Sequence, residues 1–370
     1  MALAEAERVA GKAGILPAHA IEKLIADKNI LTGVPVVEGQ IQPASLDLRL
    51  GTTAYRVRAS FLPGSGVQVA SKLESLALHA FDLSEGAVLE TGCVYIVPLL
   101  EGLDLPENLA AACNPKSSTG RLDVFTRVIA NGARAFDQIE AGYEGTLYAE
   151  ICPQTFSIVV RNGTRLSQIR FRTGEVAHDD AALLALHRKQ PLVTGSQPDI
   201  EGGIALSVDL RGEADTGLIG YRAKRHTGLV DVDKPGALDV LDYWEPIVSR
   251  GETHLILDPD QFYILASKEA VTVPPTHAAE MIPFNPLVGE FRVHYAGFFD
   301  PGFGYAEAGG AGSRGVLEVR SHKVPFILED GQIIGRLIYE PLTEVPKQIY
   351  GAGIGSHYQA QGLKLSKHFR

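Results

Sequence analysis

Ser117 and Ser118 stand side by side in Asn114-Pro-Lys-Ser-Ser-Thr-Gly-Arg121, flanked by Lys116 and Arg121. Two hydroxyls, a glycine and two cations so close together can converge as donors on phosphate oxygens. A polar turn capped by serine has the same composition and is commoner, so the motif alone is only suggestive. Downstream, the run from Asp137 to Glu150 reads as a turn around Gly142 followed by a strand. Alternation places Thr146, Tyr148 and Glu150 on one face and Leu147, Ala149 and Ile151 on the other. A carboxylate near the end of such a strand is a candidate general base. An exposed glutamate is the plainer reading of that strand by itself. A third cluster, Tyr350 to Lys367, is a glycine-rich terminal stretch holding Tyr350, His357, Tyr358 and Gln361.

These groups need a scaffold, and the scaffold is written twice. Pro43-Ala-Ser-Leu-Asp-Leu-Arg-Leu-Gly51 returns as Ala205-Leu-Ser-Val-Asp-Leu-Arg-Gly212, with Asp209 under Asp47 at an offset of 162 residues. Further matches set Tyr95 against Tyr263 and Gly163 against Gly331, both at an offset of 168. Collinear matches of this kind indicate duplication. Each half opens with a short helix: Ile21, Leu24 and Ile25 share one face in the first, and Asp179 or Asp180 caps Leu183, Leu184 and Leu186 in the second. Short strand-like runs follow, among them 94–97, 147–151, 157–160, 229–232 and 262–265, broken by turn formers. The expectation is an all-β chain with a few short helices, built as two tandem jelly-roll β-barrel domains. The boundary is expected near 173–180, giving domains 1–174 and 175–370, the second ending in a tail from 346 to 370.

Of the 370 residues, 45% are hydrophobic and 21% charged, which suits two domains with proper cores. The net charge of −10 argues against a nucleic-acid polymer as partner but leaves room for a small anion. Three cysteines without C-x-x-C spacing read as free thiols, Cys93 and Cys152 as buried ones, and point to a cytoplasmic location. The N-terminal segment lacks an apolar core of the secretory kind, and no run is long enough to span a bilayer.

Taken together, Ser117-Ser-x-x-Arg121, the turn Ile139-Glu-x-Gly-Tyr-x-Gly145 with Glu150 beyond it, Pro43–Gly51 and the tail resemble the dCTP deaminases of the dUTPase-like superfamily. The resemblance covers nearly the whole chain once the duplication is allowed for. It implies dUTPase-like barrels and hydrolytic deamination of dCTP to dUTP and ammonia. Glu150 falls on the catalytic glutamate, Ser117 on the serine that places the water, and Arg121 on the supporting arginine. Lys116 and Ser118 fall on triphosphate contacts, Glu140 on the carboxylate at the deoxyribose 3′-hydroxyl and Tyr143 on an aromatic of the sugar pocket. Tyr350, Tyr358 and Gln361 match nucleotide-closing residues, whereas Gln138 and His357 replace an arginine and a lysine.

In the second half, Val288 and Gly289 stand where the serines would be, Arg292 falls opposite Arg121, and Asp300 offers a sugar contact. Counting back from Pro325 puts Glu318 one place off the catalytic position, on the opposite strand face. This copy is therefore expected to be non-catalytic and to supply the lid. Nothing matches the H-x-E and P-C-x-x-C motifs of zinc deaminases, so no protein-bound metal is expected, and Mg²⁺ is expected to enter with the triphosphate. Single-domain relatives place their sites between subunits, which implies a homo-oligomer of threefold or pseudo-threefold form. The alternatives are a dUTP diphosphatase, a bifunctional enzyme forming dUMP, and a non-catalytic nucleotide-binding regulator.

Overall fold

The computed structural model describes residues 13–195, 197–282, 291–294, 297–308, 311–321, 323–351 and 362–370. Strands dominate and helices are few and short, the longest being Ala18–Ala26 and Asp180–Lys189. The Asp179 carboxylate accepts the Ala182 N–H at 2.8 Å and so caps the second of these.

The repeated Ser-Leu-Asp-Leu-Arg strand shows why the sequence folds as it does. Ser45–Arg49 is buried at every position, so both of its faces are covered. Leu46 and Leu48 enter the core. The opposite face holds polar groups, each with a partner. Ser45 donates to Gln168 Oε1 at 3.3 Å, Asp47 accepts from Lys116 Nζ at 2.5 Å, and Arg49 Nε donates to Glu101 at 2.7 Å. Buried charges persist in folds only when paired in this way. The recurrent glycines have an equally local cause. Gly163 and Gly331 hold φ +85° and +82°, a left-handed turn that penalises any side chain.

The two halves share a strand order. In the first, one sheet runs Gln138–Ile139, Ala110–Pro115, Arg165–Thr173, Ser45–Arg49 and Ile41–Gln42. In the second, Phe298–Phe299, His277–Ile282, Ile333–Pro341 and Ile204–Ser207 follow the same path. A second sheet runs Val124–Ala130, Glu144–Pro153, Val94–Asp104, Thr53–Val57 and Ala77–Asp82. Its counterpart runs Phe291–His294, Ser313–Ser321, Phe262–Val271, Leu218–Ala223 and Trp244–Val248.

The expectation of two tandem jelly-roll barrels is corrected by this pairing. The described strands form six separate sheets, each an open path, and none closes on itself. Nor is each half self-contained. Val230–Asp231 of the second half pairs in parallel with Ile158–Val160 of the first. Trp244, Phe262 and Leu365 pack in the same apolar cluster as Leu46 and Val97. Periodicity reports which face of a strand is buried, but not which distant strand covers it.

Charged contacts fasten the seam. Arg161 forks onto Asp231 at 2.7 and 2.9 Å, and Arg320 pairs with the buried Asp123. Arg170, fully buried, donates to the Ala279 carbonyl at 3.1 Å and lies 4.1 Å from the Phe298 ring centroid. All three cysteines are free. Cys113 is the fully buried one, while Cys93 and Cys152 are half-buried, a correction to the sequence reading.

Candidate active site

Ser117–Gly120 forms a single helical turn directly after the strand Ala110–Pro115. Thr119 pins it by donating to the Leu166 carbonyl at 2.8 Å, and Ser118, Thr119 and Arg121 are all buried. The turn forms one wall of a cavity of about 520 Å³. Lys116, Ser117, Ser118 and Arg121 line it from the first half, together with Arg165. Across from them stand residues of the second half: Asp300, Phe303, Glu318 and Tyr350.

Glu318 is 4% exposed, and its carboxylate approaches Arg121 Nε at 3.9 Å. Burial pushes its pKa up to about 8, against the opposing pull of the Arg121 guanidinium and of a backbone hydrogen bond. A group poised near neutrality can both take and give a proton. Asp300 has its pKa raised by burial while Arg170, at 3.4 Å, pulls it down. Phe303 and Tyr350 also line the cavity, their rings tilted by 47° with centroids 5.8 Å apart. Cations gather on one wall: Lys116 and Arg165 reach Asp47 at 2.5 and 3.4 Å, and Lys367 from the C-terminal segment joins them. Burial and the charges of Lys116 and Arg165 lower the Lys367 pKa.

Several residues singled out from sequence lie elsewhere. Glu150 is 1% exposed and paired with Arg127 at 2.5 Å, and it does not line the cavity. Among the described residues its Oε2 has no hydrogen-bond partner. Arg127 in turn stacks on Phe136 at 3.5 Å. Gln138 and Glu140 are exposed, and the Tyr143 hydroxyl is spent on Asn131 N–H and the Thr146 carbonyl. His357, Tyr358 and Gln361 lie outside the described residues, as do Val288 and Gly289; Arg292 is described only as part of its strand.

Strand register explains the exchange. Glu150 sits opposite Ile96 and Glu318 opposite Ile264, residues that correspond at the same offset as Tyr95 and Tyr263. Glu318 is thus the structural counterpart of Glu150, on the same face, contrary to the count from Pro325. A linear count has no cross-strand check, and one residue of slip inverts a face. Likewise Ile139 lies opposite Ala111 and Phe299 opposite Ala279, so Asp300 and Phe303 occupy the places of Glu140 and Tyr143. The serine turn of one copy therefore meets the carboxylate strand and aromatic turn of the other. The residues that sequence reasoning passed over are Glu318, Phe303, Arg165 and Lys367. Only Glu318 left a usable signal, its equivalence to Glu150.

Models of two families match most of the chain: the 2′-deoxycytidine 5′-triphosphate deaminase N-terminal domain over residues 12–175 and the C-terminal domain of the same enzyme over 179–369. The chain belongs to the dCTP deaminase family, and it is an enzyme. A crystal structure of 2′-deoxycytidine 5′-triphosphate deaminase from Agrobacterium tumefaciens is 62% identical with a TM-score of 0.87, covering 90% of this chain and all of that one. Among sequence relatives, the dUMP-forming dCTP deaminase of Methanoculleus marisnigri is 30% identical over 119 residues, which is 32% of this chain and 58% of that protein. The dUMP-forming enzyme of Parafrankia sp. is 34% identical over 137 residues, 36% of this chain and 64% of the relative. The dCTP deaminase of Halorubrum lacusprofundi is 24% identical over 156 residues, 42% and 74% of the two chains.

Proposed function

We propose that this enzyme hydrolyses dCTP to dUTP and ammonia in the cavity between the two halves, with Glu318 rather than Glu150 as its proton-transfer group. The observation that carries this reading is the meeting of Ser117 and Arg121 with a buried Glu318 in one cavity, while Glu150 is held by Arg127 outside it. Ser117 holds a water. Glu318, as carboxylate, takes one proton from it, and the hydroxide adds to C4 of the cytosine. The proton passes to N3. Glu318 then takes the second proton from the new C4 hydroxyl and delivers it to the amine. The C4–N bond breaks, ammonia leaves, and a C4 carbonyl with a protonated N3 remains. Arg121 stabilises charge on the developing oxygen from a fixed position, at no cost in reorganisation.

Lys116, Ser118, Arg165 and Lys367 hold the triphosphate, Asp300 receives the 3′-hydroxyl, and Phe303 and Tyr350 flank the sugar. Mg²⁺ travels with the triphosphate as part of the substrate. Among the described residues no group of three or more His, Cys, Asp and Glu is arranged for a metal, and the cavity lining contains neither histidine nor cysteine. No described helix is long and apolar enough to cross a membrane. A cytoplasmic, homo-oligomeric enzyme of threefold or pseudo-threefold form is the setting proposed.

The second reading is the bifunctional one, favoured by the dUMP-forming names of the Methanoculleus and Parafrankia relatives. Product analysis separates them. Equimolar dUTP and ammonia supports deamination alone, dUMP with pyrophosphate supports the second reading, and absence of ammonia overturns both.

A further inference from the structure

The C-terminal segment runs from the cavity into the core and ends in a hydrogen-bonded chain that the reaction does not use. Ser366 and His368 are 1% and 2% exposed. Ser366 Oγ donates to the Ser118 carbonyl at 2.8 Å and lies 2.9 Å from His368 Nδ1, while His368 Nε2 lies 2.9 Å from the Val232 carbonyl. Both carbonyls only accept. Nε2 must therefore carry a hydrogen, and the single hydroxyl hydrogen of Ser366 must point at Ser118. Nothing is then left for the contact between Nδ1 and Oγ unless Nδ1 is protonated as well. In the neutral ring, the Ser366 hydrogen serves either His368 or Ser118, and one buried contact goes unmade. Arg121 Nη1 also donates to the Lys364 carbonyl at 2.8 Å, so the same segment touches both ends of the serine turn. Phe369 anchors the segment against Trp244 and Tyr243, with ring centroids 5.7 and 5.4 Å apart.

We propose that His368 is a positioning residue whose protonated ring locks the serine turn through Ser366, and that the triphosphate binds together with a proton at this ring. The inference rests on the reading of the cavity as a triphosphate site. The charged groups around the ring are Lys367 on its own segment and Asp231 and Asp233 on the neighbouring strand and turn, both paired with Arg161. Burial, with Lys367 adding to it, lowers the pKa of the ring. Lys367 lines the cavity beside Lys116 and Arg165, so phosphate charge arriving there offsets the repulsion that the lysine exerts on the ring. Ligand binding and ring protonation then reinforce one another, as linkage requires.

The test is titration calorimetry with deoxyuridine 5′-(α,β-imido)triphosphate, which is neither deaminated nor cut at the α-phosphate. At pH 8, in buffers of low and high ionisation enthalpy, wild-type protein takes up a fraction of a proton that His368→Asn does not. Between pH 6.5 and 8.5 wild-type affinity falls about 2- to 10-fold more than that of the variant, the worth of one hydrogen bond. Equal proton uptake in the two proteins overturns the proposal. Nitrogen-15 spectra of the wild-type complex give a readout independent of any variant's folding: two protonated ring nitrogens support it, and a neutral Nε2–H ring overturns it. An analogue that fails to bind at all instead removes the triphosphate reading itself.

Discussion

Replacing Glu318 with Gln keeps the shape of the side chain and removes its ability to exchange protons. Positioned general-base catalysis is worth roughly 10²–10⁴-fold, so kcat is expected to fall by at least that much, or about 3–5 kcal/mol of transition-state stabilisation. Binding of dCTP should change little, because the residues proposed to hold the triphosphate come from other elements. The same change has a second signature in stability. The folded-state pKa of Glu318 is about 8, above its ordinary value of 4.5, so the folded protein binds more protons than the unfolded chain between those limits. Stability therefore falls as pH rises from about 4.5 to 8 on this account, by on the order of 3–5 kcal/mol once the buried carboxylate is fully ionised. Glu318→Gln escapes that penalty. Its melting temperature is expected to exceed wild type at pH 9 and to match it more closely at pH 5. Ammonia release assayed by a coupled enzyme, alongside thermal melts at the two pH values, checks both signatures. If Glu150→Gln abolishes ammonia release while Glu318→Gln leaves it within a few-fold of wild type, the assignment collapses.

Four further outcomes are expected. The kcat/KM profile should rise with pH and level off above about 8, since the carboxylate form of Glu318 must take the first proton; a profile flat from pH 6 to 9 contradicts this. Ser117→Ala should lower kcat by about 10²-fold or more with KM nearly unchanged, on the scale of a lost preorganised donor, measured in steady-state kinetics. Arg165→Ala should raise KM for dCTP several-fold, less so in high salt, because the contact proposed between this half-exposed cation and the triphosphate is screened; a salt titration of KM reads it. Gly304→Ala should destabilise the protein by more than about 2 kcal/mol, by analogy with other sites of backbone strain and overpacking. Its φ is +65°, and a Cβ there would lie 2.1 Å from the Val271 carbonyl oxygen. Chemical denaturation measures the loss.

Much of this enzyme was legible in its residues. The serine turn, the recurring Ser-x-Asp-Leu-Arg strand and the paired turn glycines each follow from local chemistry: hydroxyls and cations for phosphate, alternation for strands, positive φ for glycine. The helix cap at Asp179 was equally local. What sequence could not supply was the partner of each element. Glu150 and Glu318 sit at equivalent positions on equivalent strands, and no property of either glutamate tells which one faces Ser117. That was decided by how the halves pack, through the Arg320–Asp123 pair, the parallel strand at Val230 and the shared cluster around Trp244. Sheet closure was undetermined for the same reason. Hydrophobic periodicity and turn chemistry act between near neighbours along the chain, whereas a site between two copies depends on contacts more than a hundred residues apart, which only the folded packing selects.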